Sequence, residues 1–406
     1  MKFIARQPIL SCRRDVFAYE LLFRSGIENS FSGADLEHAS ASMFVTSFMI
    51  GLQKLTGGQR AFVNCPRDFL LRDYISLFPR ELVVVELLEN IAPDAEVVAA
   101  CRRLKEGGYL LALDDFVDTL DWAPLIEIAD FIKVDFRLTN QDEQRALAAR
   151  YRGKSIRMLA EKVETPEEFA EALGMGYSLF QGYFFCRPEM LQRRAIPASK
   201  LAYLDVLRAA TAAELDIAAL ALKIKQEPSL TYKLLRYLNS AGFGLRAEIY
   251  SIPHALSLLG ERELRKWIAV VAVGVMADGK PDELMTVPLV RGRFCELLAP
   301  AVGMAAHAND LFLLGLLSVM DAILDQPLAA ILSELSVRDD IKAALLARSG
   351  LYSDMLELAI AHERADWAAV SGLAARLGVK EDQIPGIYLS AVDWASALRR
   401  GTPTPV

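Results

Sequence analysis

The amino-acid sequence predicts two folds in series: a (β/α)8, TIM-like α/β barrel, then an all-α domain. Three observations predict this. Apolar runs recur through the first half, and each ends in a polar or charged residue. One helix-sized stretch separates most successive runs. After Arg187-Pro188 the strand signal stops and apolar residues take helical spacing. A chain of 406 residues, 53% hydrophobic, suits two cores better than one.

The elements follow in order. Phe3–Leu10 and Val16–Phe23 alternate and flank the polar turn Ser11–Asp15, which reads as a hairpin. Later runs such as Leu82–Val85 and Leu110–Leu113 are apolar throughout, as strands buried on both faces require. Glu86, Asp114, Lys133, Glu161 and Gln181 follow one another at intervals of 28, 19, 28 and 20 residues, each room for one helix and one strand. That rhythm favours a barrel over an open doubly wound sheet. Ala195–Ser199 contains Pro197 and reads as a linker, giving a barrel domain at 1–195 and a helical domain at 200–406. In the second half, Leu230, Leu234, Leu235 and Leu238 form one apolar stripe, and Gly242, Gly244, Gly260, Gly303, Gly350 and Gly378 punctuate further helices.

Composition excludes some functions. A net charge of −7 argues against coating a nucleic-acid polymer, which needs a basic face. The longest apolar run, Trp267–Ala277, is too short to span a bilayer, which needs about 20 residues. Lys2, Arg6, Arg13 and Arg14 do not make a signal-peptide layout, so a soluble cytoplasmic protein without a membrane partner is expected. The five cysteines, with no Cys-x-x-Cys pair, read as free thiols. His254 reads as a hydrogen-bonded core histidine, and His307 and His362 as surface residues.

The chemistry lies at the run ends: Glu20 and Arg24, Asn64, Glu86, Asp114 and Asp115, Lys133 and Asp135, Glu161 and Glu164. In a parallel barrel, residues at the C-terminal strand ends gather at one mouth. A ring of oxygen ligands there selects a hard cation such as Mg²⁺, Mn²⁺ or Ca²⁺. Taken singly, each residue has an ordinary structural reading. Glu20 and Arg24 suit an ion pair, Asn64 a turn residue before Cys65-Pro66, and Asp114-Asp115 a helix cap. Asp135 suits a partner of Lys133 as well as a ligand. Jointly they favour a metal and phosphate site, because so many acids converge only around a cation. A strand-end lysine also suggests a Schiff-base aldolase. Surrounding carboxylates would raise its pKa, whereas an amine nucleophile needs it lowered.

Together the motifs resemble the EAL domain of cyclic-di-GMP signalling. Glu20-Leu21-Leu22-Phe23-Arg24, Asn64, Glu86-Leu87-Leu88-Glu89, Asp114-Asp115-Phe116, Asp130–Asp135, Ala160–Thr165 and Gln181-Gly182-Tyr183 carry the resemblance in order. Leu234–Ala241 and Ser251–Gly260 resemble the HDOD domain, a helical relative of HD phosphohydrolases without their metal ligands. The whole chain looks like a bacterial two-domain EAL–HDOD signalling protein.

The resemblance implies that Glu20, Asn64, Glu86 and Asp114 hold one Mg²⁺ or Mn²⁺, and that Asp114, Asp115 and Glu161 serve a second. It implies that Lys133, Glu161 and Gln181 act on water and developing charge, that Arg24 meets a ligand phosphate, and that Glu164 anchors a loop. The ligand would be cyclic-di-GMP, opened to linear pGpG. The HDOD domain would contact a protein partner, and a homodimer is left open. One departure bears on rate. Active relatives resemble one another in a Gly-Thr-Gly-Tyr-Ser-Ser stretch where this chain reads Val117-Asp118-Thr119-Leu120-Asp121-Trp122. Val117 and Thr119 resist backbone angles that glycine allows. The expectation is a metal-binding site with weak or absent hydrolysis, the alternative a fully active phosphodiesterase.

Overall fold

The computed structural model describes residues 4–24, 52–116, 120–188, 198–212, 214–226, 249 and 251–401. The stripe Leu230–Leu238, the motif Leu234–Ala241, Gly242 and Gly244, linker residues 195–197 and loop residues 117–119 lie outside the described residues. Two compact units part between Phe185 and Cys186.

The first unit is a closed eight-stranded barrel with strands in chain order: β1 (Ile4–Ser11), β2 (Val16–Phe23), β3 (Arg60–Asn64), β4 (Val83–Leu87), β5 (Leu110–Leu113), β6 (Phe131–Asp135), β7 (Arg157–Glu161) and β8 (Leu179–Gln181). Strands β2 to β8 pair in parallel. β1 is antiparallel to both its neighbours, β2 and β8. The barrel therefore departs from a strict eightfold β/α repeat at its start. The reason is the turn Ser11–Asp15, too short to hold a helix. It is closed by Ser11 N–H donating to the Asp15 carbonyl at 2.8 Å and by Ser11 Oγ accepting from Arg13 and Asp15 N–H.

Helices α1 (Arg67–Leu71), α2 (Ala95–Glu106), α3 (Ala123–Ile126), α4 (Gln141–Tyr151) and α5 (Pro166–Met175) fill the connections. The longer ones start at side-chain caps: Asp94 on Val97 N–H, Asn140 with Glu143 in a capping box, and Thr165 on Glu168 N–H. Asp130 ties β5 to α2, since its Oδ2 accepts from Leu111 N–H at 2.8 Å and from Lys105 Nζ at 2.6 Å.

The barrel interior is closed by one apolar layer with a residue from every strand: Ile9, Ala18, Phe62, Val84, Ala112, Phe131, Leu159 and Leu179, all 2% exposed or less. Phe62 and Phe131 meet edge-on at 5.2 Å, and Phe17 packs beneath with the Arg157 guanidinium over its ring.

The second unit is helical: α6 (Ala198–Thr211), α7 (Ile217–Gln226), α8 (Ile252–Met276), α9 (Glu283–Leu298), α10 (Ala308–Leu317), α11 (Met320–Leu324), α12 (Leu328–Glu334), α13 (Asp339–Lys342), α14 (Leu351–Glu363), α15 (Trp367–Leu377) and α16 (Ile384–Gly401). Gly260, at φ 77°, kinks α8. Among the described residues no helix is long and apolar enough to cross a membrane. Two histidines differ from expectation. His254 is half-buried in the first turn of α8, because the helix begins only at its Ser251 cap. His362 is fully buried, 4.2 Å from Tyr388 and edge-on to Trp367, and burial pulls its pKa down to about 3.

α9 and α10 cross backbone to backbone. A Cβ on Gly315 would lie 2.2 Å from Gly292 N, and one on Gly292 would lie 2.7 Å from the Phe312 carbonyl oxygen. Neither contact can be relieved by a side-chain rotation. Gly315→Ala should therefore destabilise the helical unit by about 3 kcal/mol or more, at the upper end of overpacking costs. Thermal unfolding followed by circular dichroism should show an early helical transition; an unchanged melting curve would contradict this crossing.

Candidate active site

Every strand adds a polar residue two positions beyond its member of the apolar layer, on the mouth side. Side chains two apart share a face of a strand. Ala18 leads to Glu20, Phe62 to Asn64, Val84 to Glu86, Ala112 to Asp114, Phe131 to Lys133, Leu159 to Glu161 and Leu179 to Gln181. Because β1 runs the other way, Ile9 leads back to Gln7. The site is the next layer of the barrel interior, made polar.

Lys133 stands at its centre and is fully buried. Its Nζ lies 2.7 Å from Glu86 Oε1, 2.7 Å from Asp114 Oδ1, 2.9 Å from Glu161 Oε1 and 3.5 Å from Glu20 Oε2. Burial alone would pull this ammonium's pKa down. Glu161, Glu20, Glu86 and Asp114 together outweigh it and hold the pKa well above the lysine range. Burial, opposed by Lys133, lifts the carboxyls of Glu86 and Glu161 well above the usual range; Asp114 and Glu20 push the same way. Burial and then Asp114 raise Asp115. One side of the layer is fixed by Gln181, whose Nε2 donates to Glu20 Oε2 at 2.6 Å and to Gln7 Oε1 at 2.9 Å.

The donor set fits a hard divalent cation. Glu86 Oε2, Asn64 Oδ1 and Gln181 Oε1 are buried and accept no hydrogen bond, an expensive state for a polar atom. Ligand oxygens of Asp114, Asp115 and Glu161 lie within 4.8 Å of one another. The site's acids outnumber the one buried ammonium, and burial first, then neighbouring carboxylates, raise the pKa values of Glu86, Asp115 and Glu161.

The other expected residues are placed as follows. Arg24 follows β2 at the same mouth, half-buried. Glu164 lies in the turn after β7, its N–H donating to Glu168 Oε2 at 2.8 Å. Asp135 is not a partner of Lys133. Its Oδ2 binds Lys162 Nζ, and its Oδ1 accepts from Arg137 N–H at 2.6 Å and Leu138 N–H at 3.2 Å. Two further residues at the mouth carry no signal in the strand-end pattern. Gln7 is found by reversing the two-residue rule on the first hairpin strand. Lys162 sits beside Glu161 in a turn, where no periodicity marks it. That turn is tight: Val163 N–H donates to the Gln181 carbonyl at 2.9 Å, and a Cβ on Gly182 would meet the Val163 carbonyl oxygen at 1.9 Å. Residues 120–122 of the departing loop form a 3-10 turn, with Trp122 edge-on to Phe116.

The EAL domain profile matches residues 59–188 and the HDOD domain profile matches residues 196–336. Cyclic di-GMP phosphodiesterase CdgJ of Vibrio cholerae is 33% identical over 402 residues, spanning 98% of this chain and 93% of that protein. The chain belongs to the EAL–HDOD family. A second relative, YuxH of Bacillus subtilis, is 33% identical over 407 residues, 98% of each chain. Among solved structures, the calcium and cy-diGMP complex of BlrP1 from Klebsiella pneumoniae is 22% identical, covers 46% of this chain and 55% of that one, and has a TM-score of 0.36. The c-di-GMP-bound EAL domain of FimX from Pseudomonas aeruginosa is 20% identical, covers 45% and 88%, and has a TM-score of 0.33. In this EAL–HDOD protein the EAL match begins after Glu20, so the hairpin that carries Glu20 and Gln7 joins the site through the barrel closure described above.

The crowding has a measurable consequence. A carboxyl whose folded pKa exceeds its unfolded value destabilises the fold as pH rises from the unfolded value through the folded one. Glu86 is such a group, so at pH 7 without added metal its burial opposes folding. Lys133 keeps Asp114, Glu161 and Glu20 as partners when Glu86 is neutral. Glu86→Gln should therefore raise the metal-free melting temperature at pH 7, by a few degrees if the gain is about 1 kcal/mol. The gain should shrink toward pH 5. A lower melting temperature at pH 7 would contradict this.

Proposed function

We propose that the barrel mouth binds cyclic-di-GMP together with Mg²⁺ or Mn²⁺ in the cytoplasm and opens it slowly to linear pGpG, while the HDOD domain contacts a protein partner. The observation that carries this reading is the polar barrel layer, in which Glu20, Glu86, Asp114 and Glu161 surround Lys133 and buried oxygens of Asn64, Glu86 and Gln181 accept no hydrogen bond. The name of the Vibrio cholerae relative, similar over nearly its whole length, supports the same ligand and reaction class.

Glu20, Asn64, Glu86 and Asp114 would hold one cation, and Asp114, Asp115 and Glu161 a second. When bound, such ions polarise phosphodiester oxygens and lower the pKa of water. The chain's own residues do the rest. Lys133 stays protonated, so it donates and neutralises and does not act as a base. Its ammonium keeps four like-charged carboxylates converged, and it is a donor for charge developing on a phosphate oxygen. Gln181 fixes the rotamer of Glu20. Arg24, at the rim, suits a phosphate by its planar fork. Slow turnover is favoured by the loop 117–122, whose sequence lacks the glycines of active relatives. Misplacement by about 1 Å loses on the order of 10²-fold in rate.

Incubation with cyclic-di-GMP, with product read by chromatography, tests this. Conversion to pGpG is expected with Mn²⁺, and more weakly with Mg²⁺, which demands stricter octahedral geometry. Lys133→Ala and Glu161→Ala should remove turnover while leaving a folded chain. Mn²⁺-dependent binding without conversion would make the site a receptor, and fast turnover with Mg²⁺ would make it a fully active phosphodiesterase. Absence of both binding and turnover would contradict the reading.

The boundary between the two domains is proposed at residues 195–200. Limited proteolysis should release two stable fragments; cuts confined to the barrel would contradict it.

A further inference from the structure

Lys162 holds a place that its backbone does not favour. Its φ is 55°, in the left-handed region, and Asp115, after β5, has φ 40°. A non-glycine residue in that region carries strain, which persists where the surroundings fix it and clusters at functional sites. The surroundings here do fix it. The Lys162 carbonyl accepts from Arg137 Nε at 3.2 Å, and the next N–H, Val163, is tied to β8. A glycine would take the same turn without strain. What lysine adds is its ammonium, on a side chain 56% exposed.

That ammonium lies among the mouth acids. It is bonded to the buried Asp135, and it feels Asp115 and Glu161. Asp135 and Glu161 are register partners on β6 and β7, so the ammonium bonded to Asp135 stands at the strand end that carries Glu161. Asp115 and Glu161 are two of the three residues whose ligand oxygens converge within 4.8 Å. The chain thus carries one ammonium, Lys133, among Glu20, Glu86, Asp114 and Glu161, and another beside the Asp114, Asp115 and Glu161 group.

We propose that Lys162 is a resident cation beside the second metal position, and that its charge makes the mouth load one divalent ion tightly and a second one weakly. The proposal rests on the metal reading given above and deepens it. Lys162 touches neither Asp114 nor the Glu20, Asn64 and Glu86 set by any hydrogen bond, so it acts as a positioning and specificity residue. A divalent ion held by Asp115 and Glu161 would share their field with the ammonium, and like charges repel. When the ammonium is removed, Asp135 Oδ1 keeps its two backbone donors and Oδ2 loses the partner that Lys162 supplies.

Mn²⁺ titration of the full chain without nucleotide, followed by calorimetry and by the electron paramagnetic resonance of free Mn²⁺, tests this. The wild type should bind one ion, with a second at least about 10-fold weaker. Lys162→Met should tighten the second ion by about 10-fold or more and leave the first within a factor of about 2, since the repulsion falls with distance. Lys162→Arg, which keeps the charge, should match the wild type, and Lys162→Gly, which also relieves the strain, should match Lys162→Met. A merely structural role would weaken both ions in Lys162→Met, and that result overturns the proposal. An unchanged second ion in Lys162→Met, or tightening in Lys162→Arg, overturns it too. Two tight ions on the wild type overturn this proposal alone, and no ion on any variant overturns both it and the metal reading.

Discussion

The barrel mouth is organised by one buried ammonium. Lys133 is surrounded by Glu20, Glu86, Asp114 and Glu161 at 2.7 to 3.5 Å, and all five side chains are removed from most of the solvent. Without that charge the four carboxylates could not share the space, and without the carboxylates burial would strip the lysine of its proton. Taking one partner from a buried ion pair typically costs about 3–5 kcal/mol. The ammonium is therefore the member that the cluster cannot lose without cost, whereas one carboxylate can be neutralised because Lys133 keeps the others as partners. The remaining imbalance, more acids than cations, is a property that a structural ion network does not need and a cation site does.

The barrel turns this electrostatic requirement into geometry. Eight apolar side chains close the interior in one layer, and the residues two further along each strand form the layer above. The floor excludes water from below, so the charges above it act in a low effective dielectric and from rigid strands. The antiparallel first strand completes the ring without a helix, bringing Gln7 beside Gln181 and, through it, Glu20.

Much of this was legible in the sequence because strands translate order into position. The alternation of side chains fixes that Glu86 follows Val84 and Lys133 follows Phe131 on one face, whatever the rest of the chain does. The parallel repeat then brings those ends together. Gln7 was hidden because its strand runs backwards, so its mouth end comes first. Lys162 and its bond to Asp135 were hidden because a left-handed turn aims a side chain in a way that no periodicity encodes. In the helical unit the same limit shows at His362. Its neighbours Tyr388 and Trp367 are brought to it by α15 and α16, and nothing in Ala361-His362-Glu363 announces burial. The Gly292–Gly315 contact is likewise a fact of helix crossing, visible only once α9 and α10 are placed.

The central claim is that the layer above Phe62 and Phe131 is a divalent-cation site built around Lys133. Anomalous diffraction from crystals soaked in Mn²⁺ tests it most directly. The account predicts an anomalous peak coordinated by Glu20, Asn64, Glu86 and Asp114. A peak held only by exposed carboxylates elsewhere on the surface, with the mouth showing none at saturating Mn²⁺, would contradict it.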